Sequence, residues 1–396
     1  MAGDQPPRIT AFTATCAAGS GRAELLRALR AGLSGLRTND FGREPLATCI
    51  GRVSGVEGAA LPAPFARYDC RNNRLAWLGI QRDGFLDAVR AARDRYGAER
   101  VALVLGTSTA SVGATEEAYE RLTAAGEFPE DLRRPEVHTP HSTAAFLQHI
   151  LGLRSLAITV ATACSSSAKA FAQGARLLEL GIADAVIVGG VDSLCGSVLF
   201  GFNSLALISR EPCRPFDAAR SGINIGEAAA FALLERSGSG PWLSGCGESS
   251  DAHHMSAPHP AGRGARQAMT AALNRAGAEP GEVGYINLHG TASVMNDEIE
   301  ARAIAEMFPA ATHASSTKGW TGHTLGAAGA LEAVISLLSL ESGFMPGNLN
   351  ARQLDAACGP QIRLASATGR SRFAMSNSFG FGGSNCVLLF AADPAA

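Results

Sequence analysis

The chain has 396 residues, of which 46% are apolar and 18% charged, with a net charge of −2. That balance supports a large buried core rather than disorder, and near-neutrality without long basic runs argues against nucleic acid as a partner. The nine cysteines are odd in number and lack a CxxC pair, which argues against a disulfide framework or a zinc centre, and no uninterrupted apolar run reaches the ~20 residues that span a bilayer. The length suits two domains or one large duplicated unit.

From the N-terminus, Met1–Pro7 lacks the charged and apolar regions of a secretory signal, so a soluble cytoplasmic protein is expected. Strand-like and helix-like runs then alternate. Arg8–Thr15 has the pattern of a strand, and Gly19–Gly21 turns into a helix ending near Gly35. A helix begins near Asn72, with Arg71 and Arg74 three apart on one face. Val101–Leu105 is a strand, and the small-residue loop Gly106–Thr109 leads to a helix around Glu116–Ala125. Leu156–Val160 is apolar and β-branched, as a buried strand should be, and Ser165-Ser166-Ser167 opens a helix to about Leu180. Ala185–Val188 and Phe231–Leu234 are further strands, and Pro and Gly around residues 236–241 form a linker. Parallel or mixed sheets covered by helices are the expected architecture.

Cys164 lies on the turn between the Leu156–Val160 strand and its helix. There it meets free backbone N–H groups and the positive end of a helix dipole, both of which favour thiolate and can hold an oxyanion. A cysteine between small residues is otherwise plain core filling. In the second half, strand Gly284–Leu288 delivers His289 within Asn287-Leu288-His289-Gly290-Thr291-Ala292-Ser293, followed by Asp297 and Glu300 on the helix Asp297–Met307. Thr317-Lys318-Gly319-Trp320-Thr321-Gly322-His323 runs into the long apolar helix Leu325–Leu340, which carries Glu332. Asn377–Asn385, with Gly380-Phe381-Gly382-Gly383 at its centre, joins strands Arg372–Ser376 and Cys386–Phe390. The HEXXH or Cys/His spacings of a metal site are missing around His253, His254, His289 and His323.

With these four motifs in this order, the chain resembles the β-ketoacyl-acyl-carrier-protein synthases of the thiolase superfamily, on the synthase I/II branch, from Arg8 to Leu388. The resemblance implies a duplicated αβαβα five-layer α/β sandwich. Residues 1–240 would carry the nucleophile, and residues 241–396 both histidines and the glycine-rich loop. It implies a decarboxylative Claisen condensation, in which Cys164 carries the acyl chain and His289 and His323 stabilise the enolate as neutral imidazole donors. Lys318 and Glu332 match charged active-site positions. The amides of Cys164 and Phe381 would form the oxyanion hole, with the Phe381 ring gating the acyl tunnel between Gly380 and Gly382. Thr291 and Ser293 match hydroxyls that contact the phosphopantetheine arm, Ser293 standing where threonine is usual. Phe202 matches an acyl-pocket aromatic, or packs in the core. Arg71 and Arg74 match a basic pair that docks the acidic carrier, or are solvated surface arginines.

Expected partners are therefore acyl carrier protein, with substrates on its phosphopantetheine arm, and either a second copy or a ketosynthase-like subunit. No bound cofactor or metal is expected. A thiolase would use a second cysteine as base, yet Cys386 sits in a strand. Initiating synthases carry Asn at the second histidine position, and a chain-length factor lacks the nucleophile. Trp320 in place of the usual methionine, a short Glu235–Ser244 connection and three serines after Cys164 are more like ketosynthases of aryl polyene pigment synthesis than those of housekeeping fatty-acid synthesis.

Overall fold

Strands that are apolar on both faces need cover on both, and that requirement sets the layers of this molecule. A computed structural model describes residues 5–393. Met1–Asp4, part of the stretch weighed above as a signal, lie outside the described residues. The first half contributes β1 (Arg8–Cys16), β2 (Val101–Gly106), β3 (Ala157–Val160), β4 (Ala185–Asp192) and β5 (Ala228–Glu235). The second contributes β6 (Trp242–Ser250), β7 (Val283–Asn287), β8 (His313–Ser315), β9 (Phe373–Phe379) and β10 (Ser384–Ala391). The helices that position the site are α1 (Arg22–Ala31), α2 (Arg71–Ile80), α3 (Phe85–Tyr96), α4 (Val112–Glu120), α5 (Ser142–Ile150), α6 (Ser166–Glu179), α7 (Gly196–Ser204), α8 (Arg263–Ala276), α9 (Val294–Met307) and α10 (Ala328–Ser342).

Each half builds the same sheet. The first has the order β3-β2-β4-β5-β1 and the second β8-β7-β9-β10-β6. In both, three strands run parallel and the fourth and fifth alternate in direction. Among the described residues, the two sheets join where Arg8 of β1 pairs with Trp242 of β6. Between them lie α6 and α10, whose Phe171, Leu177, Leu331 and Val334 form one core with Val104, Val188, Leu388 and Phe390. Helices α2, α3 and α5 cover the outer face of the first sheet through Leu75, Val89 and Phe146. Helices α8 and α9 cover the second through Met269 and Ile304. The result is the five-layer duplicated sandwich.

The all-round apolarity of α10 follows from its place between two sheets. Its region, Leu325–Ser342, is the one helix among the described residues long and apolar enough to cross a membrane, and 83% of it is buried inside the fold. Close packing of the layers uses glycine where no side chain fits. A Cβ on Gly106, at the end of β2, would stand 2.2 Å from the Ser167 nitrogen in the first turn of α6.

Several boundaries differ from the sequence expectation. The strand preceding Cys164 is an edge strand: among the described residues β3 pairs only with β2, its residues are half-buried, and Leu156 is 48% exposed. Residues that are β-branched and apolar suit either place, so pattern alone does not separate them. Helix α4 starts at Val112 and stops at Glu120, because residues 123–127 close a turn of their own, with Gly126 N–H donating to the Thr123 carbonyl. Helix α1 ends at Ala31, with Gly32 in the left-handed conformation as its cap. Strands β6 and β8 and helices α3, α5, α7 and α8 were not marked by the sequence motifs.

Candidate active site

The duplication brings matching connections to one place. Cys164 lies on the β3–α6 turn, and His323 lies on the equivalent β8–α10 connection of the other half. His289 follows β7, and residues 380–383 join β9 to β10. The carboxyl ends of parallel strands from two back-to-back sheets thus face a single pocket.

Local chemistry holds the nucleophile in an unusual backbone shape. Ala163 has φ of +53°, a left-handed conformation that strains a residue bearing a Cβ. The serines that follow hold this turn. Ser166 Oγ donates to the Ala163 carbonyl at 2.5 Å and accepts from Thr162 N–H at 2.9 Å, and Ser165 Oγ donates to the Thr162 carbonyl at 2.9 Å. Ser167 Oγ accepts from Ala330 N–H at 2.8 Å, tying α6 to α10. On the other side, the His323 N–H donates to the Asn224 carbonyl at 2.7 Å, and its carbonyl accepts from Gly226 N–H at 3.0 Å.

His323 Nε2 stands 3.0 Å from Cys164 Sγ. The His289 ring is 5.5 Å from the His323 ring at an interplanar angle of 85°. One side-chain donor atom from each of the three residues lies within 4.8 Å of the others. Burial, and then the Lys318 cation, hold both imidazoles well below the usual histidine range, so both are neutral. Burial also pushes the Cys164 thiol up to about 11, although the Lys318 charge and a hydrogen bond from Phe381 N–H pull it down. The helix-end environment expected to favour thiolate is therefore outweighed. Helix α6 begins two residues later, and desolvation of the anion dominates. At rest a protonated thiol and a neutral His323 ring meet at the 3.0 Å contact.

Lys318 Nζ donates to the His289 carbonyl at 2.5 Å and forms a buried ion pair with Glu332. Burial raises Glu332 to about 7 against the pull of that cation. The Phe381 amide reaches the sulfur, and its ring stands 5.7 Å from the Phe202 ring, tilted by 36°. A Cβ on Gly380 would come within 3.3 Å of the Cys164 nitrogen, and Gly382, at φ of +80°, donates its N–H to the Met255 carbonyl at 2.7 Å. The Thr291 and Ser293 hydroxyls are 2.9 Å apart. Cys164, Phe202, Thr291, Ser293, Gly380 and Phe381 all line a pocket of about 220 Å³.

Arg71 and Arg74 are not a free basic pair. Arg71 makes a bidentate pair with the fully buried Glu227 at 2.6 and 2.8 Å, and Arg74 a bidentate pair with Asp69 at 2.5 and 2.6 Å. Glu227 lies 156 positions away, so helical spacing could not reveal it. Both guanidiniums are thus held by carboxylates of this chain while keeping part of their surface exposed. Arg71→Ala should cost about 3–5 kcal/mol of stability by stranding a buried carboxylate. Urea unfolding checks this: an unchanged midpoint together with a raised KM for carrier-borne substrate would return Arg71 to a docking role.

The group that carries His289 is Glu300, which the sequence shows after the His289 motif without revealing its role. Glu300, fully buried, accepts from His289 N–H at 2.9 Å, from Gly290 N–H at 2.8 Å and from Asn377 Nδ2 at 3.1 Å, and burial lifts it to about 7. Asp297 and Glu300 are three apart on the face of α9 that also carries Ala301 and Ile304. Acids on an apolar helical face were the available signal.

A buried thiol, two neutral imidazoles and a convergent peptide amide at the end of a pocket define an acyl-transferring enzyme that works through a thioester. Residues 74–239 match the beta-ketoacyl synthase N-terminal domain, and residues 242–352 its C-terminal domain. The chain belongs to the beta-ketoacyl synthase family. It is 34% identical to nodulation protein E of Rhizobium meliloti over 75% of each protein, and 32% identical to 3-oxoacyl-[acyl-carrier-protein] synthase 2 of Staphylococcus aureus over 74% of this chain and 77% of that one. The match to the mitochondrial 3-oxoacyl-[acyl-carrier-protein] synthase of Arabidopsis thaliana is 39% identical but spans 58% of this chain and 55% of that protein. Among solved structures, the ketosynthase ApeO in complex with its chain length factor ApeC, from Xenorhabdus doucetiae, superposes with a TM-score of 0.90 at 36% identity, covering 98% of both chains.

Proposed function

We propose that this synthase elongates a Cys164-bound acyl chain with a malonyl unit borne on the phosphopantetheine arm of an acyl carrier protein, in aryl polyene synthesis. The observation that carries the residue roles is the 3.0 Å approach of His323 Nε2 to Cys164 Sγ with His289 alongside. In loading, the sulfur attacks the acyl thioester carbonyl. A new C–S bond forms, the carrier thiol leaves with the proton, and the amides of Cys164 and Phe381 hold the oxyanion. Malonyl carrier then loses carbon dioxide, and the two imidazoles donate to the thioester oxygen of the enolate. The enolate carbon attacks the Cys164 thioester, expelling the sulfur as thiolate, which regains a proton from solvent, and giving the β-ketoacyl carrier. Lys318 and Glu332 set the field and hold the His289 backbone. Thr291 and Ser293 contact the arm, and Phe202 and Phe381 flank the acyl chain. In this reading residues 1–240 and 241–396 act as the nucleophile-bearing and histidine-bearing halves.

Likeness to ApeO, solved with a chain length factor, favours a heterodimer with a ketosynthase-like subunit over a homodimer, and so does the ishigamide ketosynthase/chain length factor at 26% identity and a TM-score of 0.90. Primary fatty-acid synthesis is the competing pathway. All nine cysteines are free, which suits the reducing cytoplasm as its location. Mass spectrometry of the purified protein offered saturated, polyenoyl and aryl-polyenoyl carriers tests the reading. The expected adduct on Cys164 is the conjugated chain. Selective capture of saturated chains would move the enzyme to fatty-acid synthesis.

A further inference from the structure

Arg220 has a side chain 2% exposed and belongs to neither the catalytic trio nor the central core. Its Nη1 donates to the Asp217 carbonyl at 3.0 Å and to the Asp355 carboxylate at 2.7 Å. Nη2 donates to the Val294 carbonyl at 2.9 Å, and Nε reaches the Ser293 carbonyl at 3.4 Å and lies 3.8 Å from the Asp297 carboxylate. The guanidinium therefore joins a first-half loop to the start of α9. That is an unfavourable place for a cation, because burial costs solvation and the N-terminal end of a helix is already positive. Asp297 and Asp355 offset the charge.

The turn it grips needs holding. Ala292 has φ of +66°, strained for any residue with a Cβ. Asp297 accepts from Ala292 N–H at 3.2 Å and from Phe216 N–H at 2.8 Å, and Gly222 N–H donates to the Ala292 carbonyl at 3.2 Å. On either side of Ala292, Thr291 and Ser293 line the pocket. We infer that Arg220 is a positioning residue for the phosphopantetheine arm, bracing the strained 291–293 turn so that both hydroxyls stay aimed into the pocket. The inference rests on the reading of Thr291 and Ser293 as arm contacts.

The test compares acylation of Cys164 by an acyl-pantetheine thioester with acylation by the truncated acyl-N-acetylcysteamine thioester, followed by mass spectrometry over a concentration series. Arg220→Lys keeps a cation between the two aspartates but cannot span both carbonyls. It should raise KM for the full arm about tenfold, with the saturating rate within about twofold and the truncated substrate unaffected. Equal losses on both substrates, or none, would overturn the inference. Asp355→Asn, which loosens the guanidinium from the exposed side, must show the same selective pattern and keeps the inference testable if Arg220→Lys does not fold. Thr291→Val and Ser293→Ala separate the two readings. If they leave KM unchanged, the arm-contact reading falls, and this inference with it. If they raise KM while Arg220→Lys and Asp355→Asn do not, Arg220 alone is wrongly assigned.

Discussion

Cys164→Ala should abolish condensation while leaving the fold intact. The substitution removes one sulfur from a turn held by serine hydroxyls and backbone rather than by the thiol, so the stability cost stays at ~1 kcal/mol. Purified variant offered an acyl carrier should show no adduct and no elongation, and an unchanged circular dichroism melt would confirm the fold. Wild-type elongation by the variant would remove Cys164 from the mechanism. The raised thiol adds a pH signature. Because the anion is disfavoured and the thiol sits at about 11, thiolate accumulates only as pH rises toward that value. Alkylation of the wild type by iodoacetamide should therefore climb about tenfold per pH unit from 7 to 10. A plateau already reached at pH 7–8 would show that the helix end and Lys318 outweigh burial.

Replacing either histidine by alanine should suppress malonyl decarboxylation by about 10²–10³, since losing one donor to a developing oxyanion costs roughly 3–4 kcal/mol. The two variants should differ in loading. His323 contacts the sulfur, so His323→Ala slows acylation as well. His289 donates nothing to the thiol, so His289→Ala loads at close to the wild-type rate and stalls afterward. Acyl-enzyme formation by mass spectrometry and carbon dioxide release, followed separately, resolve the two steps. Undiminished carbon dioxide release in both variants would refute the enolate role. Identical loading in both would show that the 3.0 Å contact does not assist the thiol.

Much of this is legible in the sequence. The alternation of strand and helix, the small-residue turn at Cys164 and the glycine-flanked histidines are local patterns, written by backbone sterics and hydrophobic period. Local spacing determined that His289 and His323 sit on turns and that Leu325–Leu340 is an apolar helix. Tertiary structure alone decided the rest, because it depends on residues far apart in the chain. The neutrality of the imidazoles and the elevation of the Cys164 thiol come from desolvation by both halves at once. Arg71 and Arg74 had the spacing of a docking pair, but buried Glu227 claims the first and Asp69 the second. Glu300, visible only as an acid after the His289 motif, and Arg220, in no motif, acquire meaning from the backbone groups they meet. Periodicity specifies which face a side chain takes, whereas its charge state and partner are set by how completely other segments exclude water around it.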